Sequence, residues 1–241
     1  MRDPLVFLPG MMCDARVFTP QLTAFSPHLP VIFGPVTGGD RIEEIASRLL
    51  DGLPRRFALT GLSMGGIVAM ELLRRAPDRV TRIALMDTNS LAETPQSAAD
   101  YEPVIIKLRA GQVDEAVQAM IRPDILAPGQ GRAQVQSQMA RMARNLGADV
   151  IIRQIRAIQR RRDYQAVLRR CGVPALVLCG EHDRLTPVKR HKLMAELIPD
   201  AQLCVIEGAG HLPVLEQPDA VNQALFEWMK RPDTQQSQTN A

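Results

Sequence analysis

Six short apolar runs, separated by longer stretches with helical periodicity, constrain the fold of this chain more than any other feature of its sequence. The runs are rich in Val, Ile and Leu and lie at 5–10, 31–36, 57–62, 82–89, 175–180 and 202–207. Continuous apolar runs are typical of strands that helices cover on both faces. Helical patterns fill the gaps, at about 41–52, 64–75, 187–197 and 218–230. This alternation predicts an α/β fold with a parallel sheet, right-handed crossovers and helices on both faces.

The alternation stops between Asn89 and Tyr164, where helical periodicity continues without a convincing strand. With 241 residues, of which 46% are hydrophobic, the chain can bury one sizeable core. We therefore expect a core built from 1–89 and 165–231, with a helical insertion at 90–164. The polar segment 232–241 is expected to be a disordered tail.

Charge and composition argue against several classes of protein. The net charge of +3 is too small for a general nucleic-acid binder. We find neither a secretory leader pattern nor a stretch near the roughly 18 apolar residues of a membrane span, so we expect a cytoplasmic protein without a membrane partner. The cysteines show neither metal-ligand spacing nor the density of a disulfide scaffold, which predicts reduced thiols and no metal: Cys13, Cys171, Cys179 and Cys204.

A serine flanked by glycines stands where the third apolar run gives way to a helical pattern. Gly61-Leu62-Ser63-Met64-Gly65 fits the pattern G-x-S-x-G. A sharp turn from strand to helix would strain the serine backbone and project its hydroxyl above the carboxyl edge of the sheet. Small neighbours would let the strand and the helix approach each other. The alternative is an ordinary serine N-cap between turn glycines.

A serine hydroxyl needs a histidine base, and a carboxylate must hold that histidine in the right tautomer. His211 follows the last predicted strand in the Gly-rich "EGAGHLPVLEQP", so its ring could reach over the sheet edge. The remaining histidines are interpreted as surface or structural residues: His28, His182 and His191.

Asp183 is the preferred acid, because "LCGEHDRLTP" places it just after the fifth strand. The order Ser63, Asp183, His211 is that of α/β-hydrolases. Glu181 lies nearer the strand end, and Asp87 ends the strand after the nucleophile helix, so both remain alternatives.

An oxyanion formed at Ser63 would need two hydrogen-bond donors. The backbone N–H of Met64, the residue after the serine, is one candidate. The other is the N–H of Met11 in "FLPGMMCD", where Gly10 permits a tight turn. Core packing is the alternative role for Met11 and Met12.

These motifs together resemble the α/β-hydrolase superfamily, in particular its small bacterial serine hydrolases, such as 3-oxoadipate enol-lactonases and carrier-protein methyl esterases. The resemblance implies that 90–164 is a helical lid. The chain departs from many relatives in having Pro9-Gly10 where they have His-Gly. Leu5 already begins the first strand, which leaves no room for the usual N-terminal antiparallel pair. We therefore expect about six strands, all parallel.

The resemblance implies a serine hydrolase that cleaves an ester, lactone or thioester of a small molecule through an acyl-enzyme, without a cofactor. A lyase or an acyltransferase could use the same three residues. A catalytically silent ligand-binding protein is a further alternative.

Arginines are concentrated in the predicted lid. Residues 132–162 contain eight arginines and one acidic residue, Asp149. If this segment is helical, the pairs Arg141/Arg144 and Arg153/Arg156 each lie on one face. They would form two cationic patches near the entrance that could attract an anionic substrate or acyl carrier. The alternative is a solvated helix surface.

Overall fold

Six parallel strands form one sheet within residues 3–232, the part of the chain that the computed structural model describes. The predicted tail at 232–241 lies almost wholly outside these residues. The order across the sheet is β2-β1-β3-β4-β5-β6. The strands are β1 (Leu5–Leu8), β2 (Val31–Phe33), β3 (Phe57–Leu62), β4 (Val80–Met86), β5 (Ala175–Gly180) and β6 (Ala201–Ile206). The parallel sheet confirms the predicted α/β-hydrolase architecture, and no antiparallel pair precedes β1 in the described chain.

Helices cover both faces of this sheet and also form the segment between β4 and β5. They are α1 (Thr19–Phe25), α2 (Ile42–Gly52), α3 (Met64–Arg75), α4 (Pro95–Asp100), α5 (Glu102–Arg109), α6 (Val113–Met120), α7 (Arg132–Leu146), α8 (Ala148–Gln159), α9 (Gln165–Arg169), α10 (Val188–Leu197), α11 (Pro213–Glu216) and α12 (Pro218–Lys230). None of those in the described residues combines the length and apolar character needed to cross a membrane.

Alternate residues of each central strand enter two separate cores. In β1, Val6 and Leu8 pack with residues of α2, α3 and α10, whereas Leu5 and Phe7 pack with residues of α1 and α12. This division explains why the strand sequences are continuously apolar, since both faces of each strand are buried.

The edge strand β6 departs from this pattern. Gln202 is exposed, Val205 is 42% exposed, and Cys204 is only partly buried. An edge strand has one neighbour, so its side chains receive less cover than those of β5. The other three cysteines are buried, and all four are free thiols.

Strands β1, β2 and β4 end before the apolar runs that predicted them do. Residues 9–10, 34–36 and 87–89 lie beyond the carboxyl ends of β1, β2 and β4. Pro9 has no N–H to give to a sheet, which is consistent with the end of β1 at Leu8. These loops, rather than the strands, form the upper edge of the sheet.

Between β4 and β5 the described chain contains helices α4 to α9 and no strand. The Tyr164 N–H donates a 2.7 Å hydrogen bond to the Ser90 carbonyl, so the two ends of the segment 90–164 meet. Tyr164 is fully buried at this junction. The helical segment therefore leaves and re-enters the sheet layer at one point.

A buried histidine connects α10 to the loop after β4. His191 Nε2 accepts a 3.0 Å hydrogen bond from the Thr88 N–H, and the side chain is inaccessible to solvent. Burial lowers the pKa of His191 to about 4, and the nearby His211 acts in the same direction, whereas Asp183 and the Pro187 carbonyl oppose the change. The neutral ring is therefore the form that the fold accommodates.

This histidine should make stability depend on pH. An unfolded histidine takes up a proton near pH 6.5, whereas His191 in the folded protein resists protonation to about pH 4. The unfolded state then binds more protons in this window, so the free energy of unfolding should fall by up to about 3 kcal/mol as the pH drops from 6.5 to 4. Urea unfolding at several pH values would measure it. His191→Gln should flatten the slope, and the exposed control His182→Gln should not; equal slopes in all three proteins would contradict this assignment.

Candidate active site

Three residues at the carboxyl edge of the sheet have strained backbones. Met12, Ser63 and Asp87 have φ values of 61°, 52° and 44°, and they are the non-glycine residues with positive φ in the described chain. Each follows the end of a neighbouring strand, β1, β3 or β4. Such conformations cost of order 1–3 kcal/mol each and concentrate at functional sites. The backbone at this edge of the sheet therefore has the strain that is typical of a functional site.

Close packing of backbone explains the glycines around Ser63. A Cβ on Gly65 would lie 2.2 Å from the Leu8 carbonyl oxygen, and a Cβ on Gly61 would lie 2.4 Å from the Gly65 carbonyl oxygen. The Ser63 N–H donates a 2.8 Å bond to the Met86 carbonyl. Helix α3 can thus begin against β1 and β3 only because these positions carry no side chain, and Ser63 is held at the apex of the turn.

The structure brings Ser63, His211 and Asp183 into one hydrogen-bonded chain. Ser63 Oγ lies 2.9 Å from His211 Nε2, and His211 Nδ1 lies 2.9 Å from Asp183 Oδ2. The tautomer that satisfies both contacts carries its proton on Nδ1, so the ring donates to Asp183 and accepts from the serine hydroxyl. His211 and Asp183 are each only 4% exposed, so the contact between them is shielded from water, whereas Ser63 is half-buried.

Asp183 is surrounded by donors. Its Oδ1 accepts the Leu185 and Thr186 N–H groups at 2.8 and 3.0 Å, and its Oδ2 also accepts the Thr186 hydroxyl. Burial acts to raise the pKa of this carboxyl, but the charge and hydrogen bond of His211, with the bonds from Thr186, hold it well below its usual range. Asp183 is therefore ionised beside the imidazole.

The alternative acid Asp87 lies in the same cluster, but its pKa shifts in the opposite direction to that of Asp183. One oxygen each of Asp87 and Asp183 and a ring nitrogen of His211 lie within 4.8 Å of one another. Burial, and then the negative charge of Asp183, raise the pKa of Asp87 well above its usual range, although the Gly180 N–H donates to Asp87 Oδ1 at 2.9 Å. Asp87 thus favours its protonated form far more than Asp183, whose pKa shifts in the opposite direction.

Glu181, the second alternative acid, does not join this cluster. Its side chain is exposed and lies 3.6 Å from His182, and it accepts the Gly208 N–H. The structure therefore places Asp183, and not Glu181, against His211.

Glu216 holds the loop of His211 in place. The sequence alone did not indicate this role. The Glu216 carboxylate accepts the N–H groups of Gly210 and Leu212, on either side of the histidine, at 3.0 and 2.9 Å. It also accepts the Ala127 N–H at 2.7 Å, from the segment between β4 and β5. Glu216 lies in the segment "EGAGHLPVLEQP", but only the folded loop shows that its side chain turns back on the backbone.

The predicted oxyanion donors also lie beside the serine. A Cβ on Gly10 would be 3.4 Å from the Ser63 Cβ, so the loop after β1 runs against the nucleophile turn. Within the described residues, no acceptor takes the N–H of Met11 or of Met64. Both groups are free to bind a ligand atom, and Met11 and Ser63 line the same cavities.

A buried glutamine that we had not predicted supports this loop. Gln154 of α8 accepts the Met12 N–H at 3.0 Å and donates to the Val36 carbonyl at 3.3 Å. It is inaccessible to solvent. Its signal in the sequence is a lone amide on the apolar face of α8, beside Ile151, Ile155 and Ile158.

Two cavities meet at Ser63 and share Met11, Tyr101 and Leu185 in their walls. The apolar lobe, about 280 Å³, is lined in addition by Met12, Val104, Met120, Ile125, Met139 and Leu212. The basic lobe, about 460 Å³, is lined in addition by Asn89, Glu93, Arg161, Arg184, Lys189 and Arg190. Burial raises the pKa of Cys13, which also borders the apolar lobe, to about 12, so its thiol stays protonated.

The arginine patches predicted near the entrance are not brought to these cavities. Neither Arg141 nor Arg144 is among the described residues that line either lobe. Arg144 Nε lies 2.5 Å from Asp114. Other arginines of this segment pair with acids elsewhere in the chain: Arg156 with Glu102, Arg160 with Asp40, Arg161 with Glu93 and Arg162 with Glu43. Long-range pairing thus offsets much of the local positive charge.

Comparisons with known proteins agree on one family for this chain. The sequence model of the alpha/beta hydrolase family matches residues 5–224. A relative from Agrobacterium fabrum named carbamate hydrolase RutD is 27% identical over 91% of this chain and 90% of its own length. The pimeloyl-[acyl-carrier protein] methyl ester esterase of Aromatoleum aromaticum is 28% identical over 90% of this chain and 94% of its own.

Solved structures show the same fold. A thermophilic esterase from Thermogutta terrifontis, described with malate bound, superposes with a TM-score of 0.86 at 27% identity, covering 94% of this chain and 89% of that one. The enol-lactonase from Burkholderia xenovorans LB400 gives a TM-score of 0.85 at 22% identity, with 96% and 92% covered.

The contact between the loops of Asp183 and His211 can be tested at Gly180. A Cβ there would lie 2.1 Å from the Gly210 carbonyl oxygen, so Gly180→Ala must push the two loops apart. We expect it to destabilise the protein by about 1–3 kcal/mol. The control Gly52→Ala has nothing within 4 Å and should be neutral or slightly stabilising. Thermal unfolding measures both variants, and equal unfolding temperatures would show that the loops are not in contact.

Proposed function

This chain belongs to the alpha/beta hydrolase family, whose sequence model matches residues 5–224, and from that membership we propose that it is a serine hydrolase. Its substrate is a carboxylic ester, lactone or thioester of a small molecule, and it acts through an acyl-enzyme on Ser63. The observation that carries the proposal is the continuous chain from Ser63 Oγ through His211 to Asp183, with both contacts at 2.9 Å.

Acylation begins at the serine hydroxyl. His211 Nε2 removes the proton as Ser63 Oγ attacks the substrate carbonyl, and Asp183 stabilises the imidazolium that forms. The ionised state of Asp183, secured by its bonds to Thr186 and Leu185, makes that stabilisation available. His211 then protonates the leaving oxygen or sulfur, and the acyl group remains on Ser63.

The negative oxygen of the tetrahedral intermediate would bind to the N–H groups of Met11 and Met64. Both are free of acceptors within the described residues. Met64 begins α3, so the positive end of a 12-residue helix faces the same point. Such preorganised donors are worth several kcal/mol in acyl transfer, roughly 3–4 kcal/mol each.

Deacylation uses the same base. Water enters after the leaving group departs, His211 accepts its proton, and the hydroxide attacks the acyl carbonyl. The acid is released when the proton returns from His211 to Ser63. None of these steps calls for a metal or an organic cofactor.

The helical segment 90–164 serves as a lid in this proposal. Tyr101, Val104, Met120 and Met139 from its helices line the apolar lobe above Ser63. An apolar group of the substrate that enters the lobe would lie against apolar side chains, whereas the carbonyl would lie at the serine. Two relatives are named for a methyl ester and a carbamate, and the thermophilic neighbour is an esterase, which supports an ester-like substrate.

Replacing Ser63 gives the direct test of this proposal. Ser63→Ala should lose hydrolysis of short p-nitrophenyl esters by at least about a thousandfold, because no nucleophile remains. It should also lose covalent labelling by a fluorophosphonate probe. Ser26→Ala, at an exposed position, should behave as wild type. Persistent labelling of Ser63→Ala would overturn the assignment of the nucleophile.

Two isosteric substitutions distinguish the roles of Asp183 and Asp87. Asp183→Asn removes the negative charge that faces the imidazole, and kcat should fall by about 10³–10⁴-fold. Asp87→Asn keeps an oxygen for the Gly180 N–H and leaves the contact between Asp183 and His211 intact, so kcat should stay within about tenfold of wild type. Steady-state kinetics on a p-nitrophenyl ester measure both. The reverse order of effects would make Asp87 the triad acid.

A further inference from the structure

The two lobes that meet at Ser63 differ in charge. The apolar lobe has one acidic and one basic residue in its lining, Asp100 and Arg122. The basic lobe has four cations and one acid. Within it, Arg161 Nη1 lies 2.9 Å from Glu93, and both side chains are largely buried, so this pair is internally neutral. The remaining cations are Arg184, Lys189 and Arg190.

No acid neutralises these three cations within the described residues. None of them forms an ion pair there. The carboxylate next to Arg184 in the chain, Asp183, is buried and bonded to His211. Asp87 is buried, bonded to the Gly180 N–H and outside the lining of this lobe, and Glu181 lies against His182. The lobe therefore has a net positive wall beside the reacting serine.

Two of the cations lie where positive charge is electrostatically unfavourable. Lys189 and Arg190 lie in the first turn of α10, a ten-residue helix with no acidic residue in that turn. The helix dipole places positive charge at this end, where acids are stabilising and bases are not. Arg184 adds a third charge from the preceding loop. An anion bound in the lobe would relieve this repulsion.

The lobe also offers a neutral donor. Asn89, at its edge, uses its side-chain oxygen to accept the Leu91 N–H. The amide NH₂ of Asn89 meets no acceptor among the described residues. A carboxylate or phosphate in the lobe could therefore bind guanidinium, ammonium and amide donors together.

From this we infer that the basic lobe binds an anionic group on the acyl part of the substrate, with Arg184, Lys189 and Arg190 as its specificity determinants. The inference rests on the proposed function. We assign the anionic group to the acyl part for one reason. His211, which protonates the leaving group, lines the apolar lobe and not the basic lobe. The leaving group then lies toward the apolar lobe. The substrate class is an ester of a dicarboxylic or phosphorylated acid with an uncharged leaving group.

Matched esters test the inference. Mono-p-nitrophenyl glutarate has a terminal carboxylate where p-nitrophenyl pentanoate has a methyl group. The two esters have the same leaving group. We expect wild type to favour the glutarate ester in kcat/KM. In Arg184→Gln/Arg190→Gln the ratio of the two kcat/KM values should fall roughly tenfold, because two of the three cations are lost. High salt should reduce the wild-type ratio in the same direction.

The control variant is Arg141→Gln/Arg144→Gln, which makes the same change in net charge on α7, outside both lobes. Its ratio should equal that of wild type.

A second pair, 4-acetoxybenzoate and p-tolyl acetate, places the carboxylate on the leaving group and should show no such preference. A preference in this second pair that Arg184→Gln/Arg190→Gln abolishes would overturn the assignment to the acyl part.

A binding measurement separates failure of this inference from failure of the proposed function. Monomethyl glutarate should bind Ser63→Ala saturably in a calorimetric titration, and adding Arg184→Gln/Arg190→Gln should weaken binding roughly tenfold. Equal binding with and without these arginines, or no binding to Ser63→Ala, would overturn the inference whether or not the esters are hydrolysed. Hydrolysis of both p-nitrophenyl esters with an unchanged ratio would overturn it and leave the role of Ser63 intact.

Discussion

The contact between the first turn of α3 and the ends of β1 and β3 is the constraint on which the rest of the structure depends. It brings the Gly65 Cα so close to the Leu8 carbonyl that a Cβ would lie 2.2 Å from that oxygen. This packing holds Ser63 at a positive φ and points the start of α3 at the space above it. The sheet order then places β1 and β4 on either side of β3, so the loops that carry Met11 and Asp87 converge on the same serine.

Two side chains connect the active-site loops to the segment between β4 and β5. Gln154 of α8 bonds to the loop of Met12, and Glu216 bonds both to the loop of His211 and to Ala127. The His211 N–H also donates to the Ile125 carbonyl at 2.8 Å. This segment therefore supports the loops that carry the oxyanion donors and the base. We expect changes within it to affect kcat as well as substrate preference, because the geometry of His211 depends on its contacts.

Local patterns were enough to predict the strands, four of the helices and the helical character of 90–164. They also predicted the grouping of Ser63, Asp183 and His211, because strand ends in a parallel sheet share one edge. What could not be predicted depends on contacts between distant parts of the chain. Gln154 and Glu216 act through backbone groups that only the folded protein places beside them. The positive charge of 132–162 is offset by acids as far away as Asp40, which a count of local charges does not include.

The central claim is that hydrolysis proceeds through an acyl group bound to Ser63, and the most direct measurement is to trap that group during turnover. The protein would be mixed with p-nitrophenyl pentanoate, quenched in acid within milliseconds and digested with trypsin. The account predicts that peptide 57–74 gains the mass of one pentanoyl group, that fragmentation locates the group on Ser63, and that it disappears on the time scale of turnover. Rapid substrate turnover with peptide 57–74 unmodified at every quench time would contradict the account.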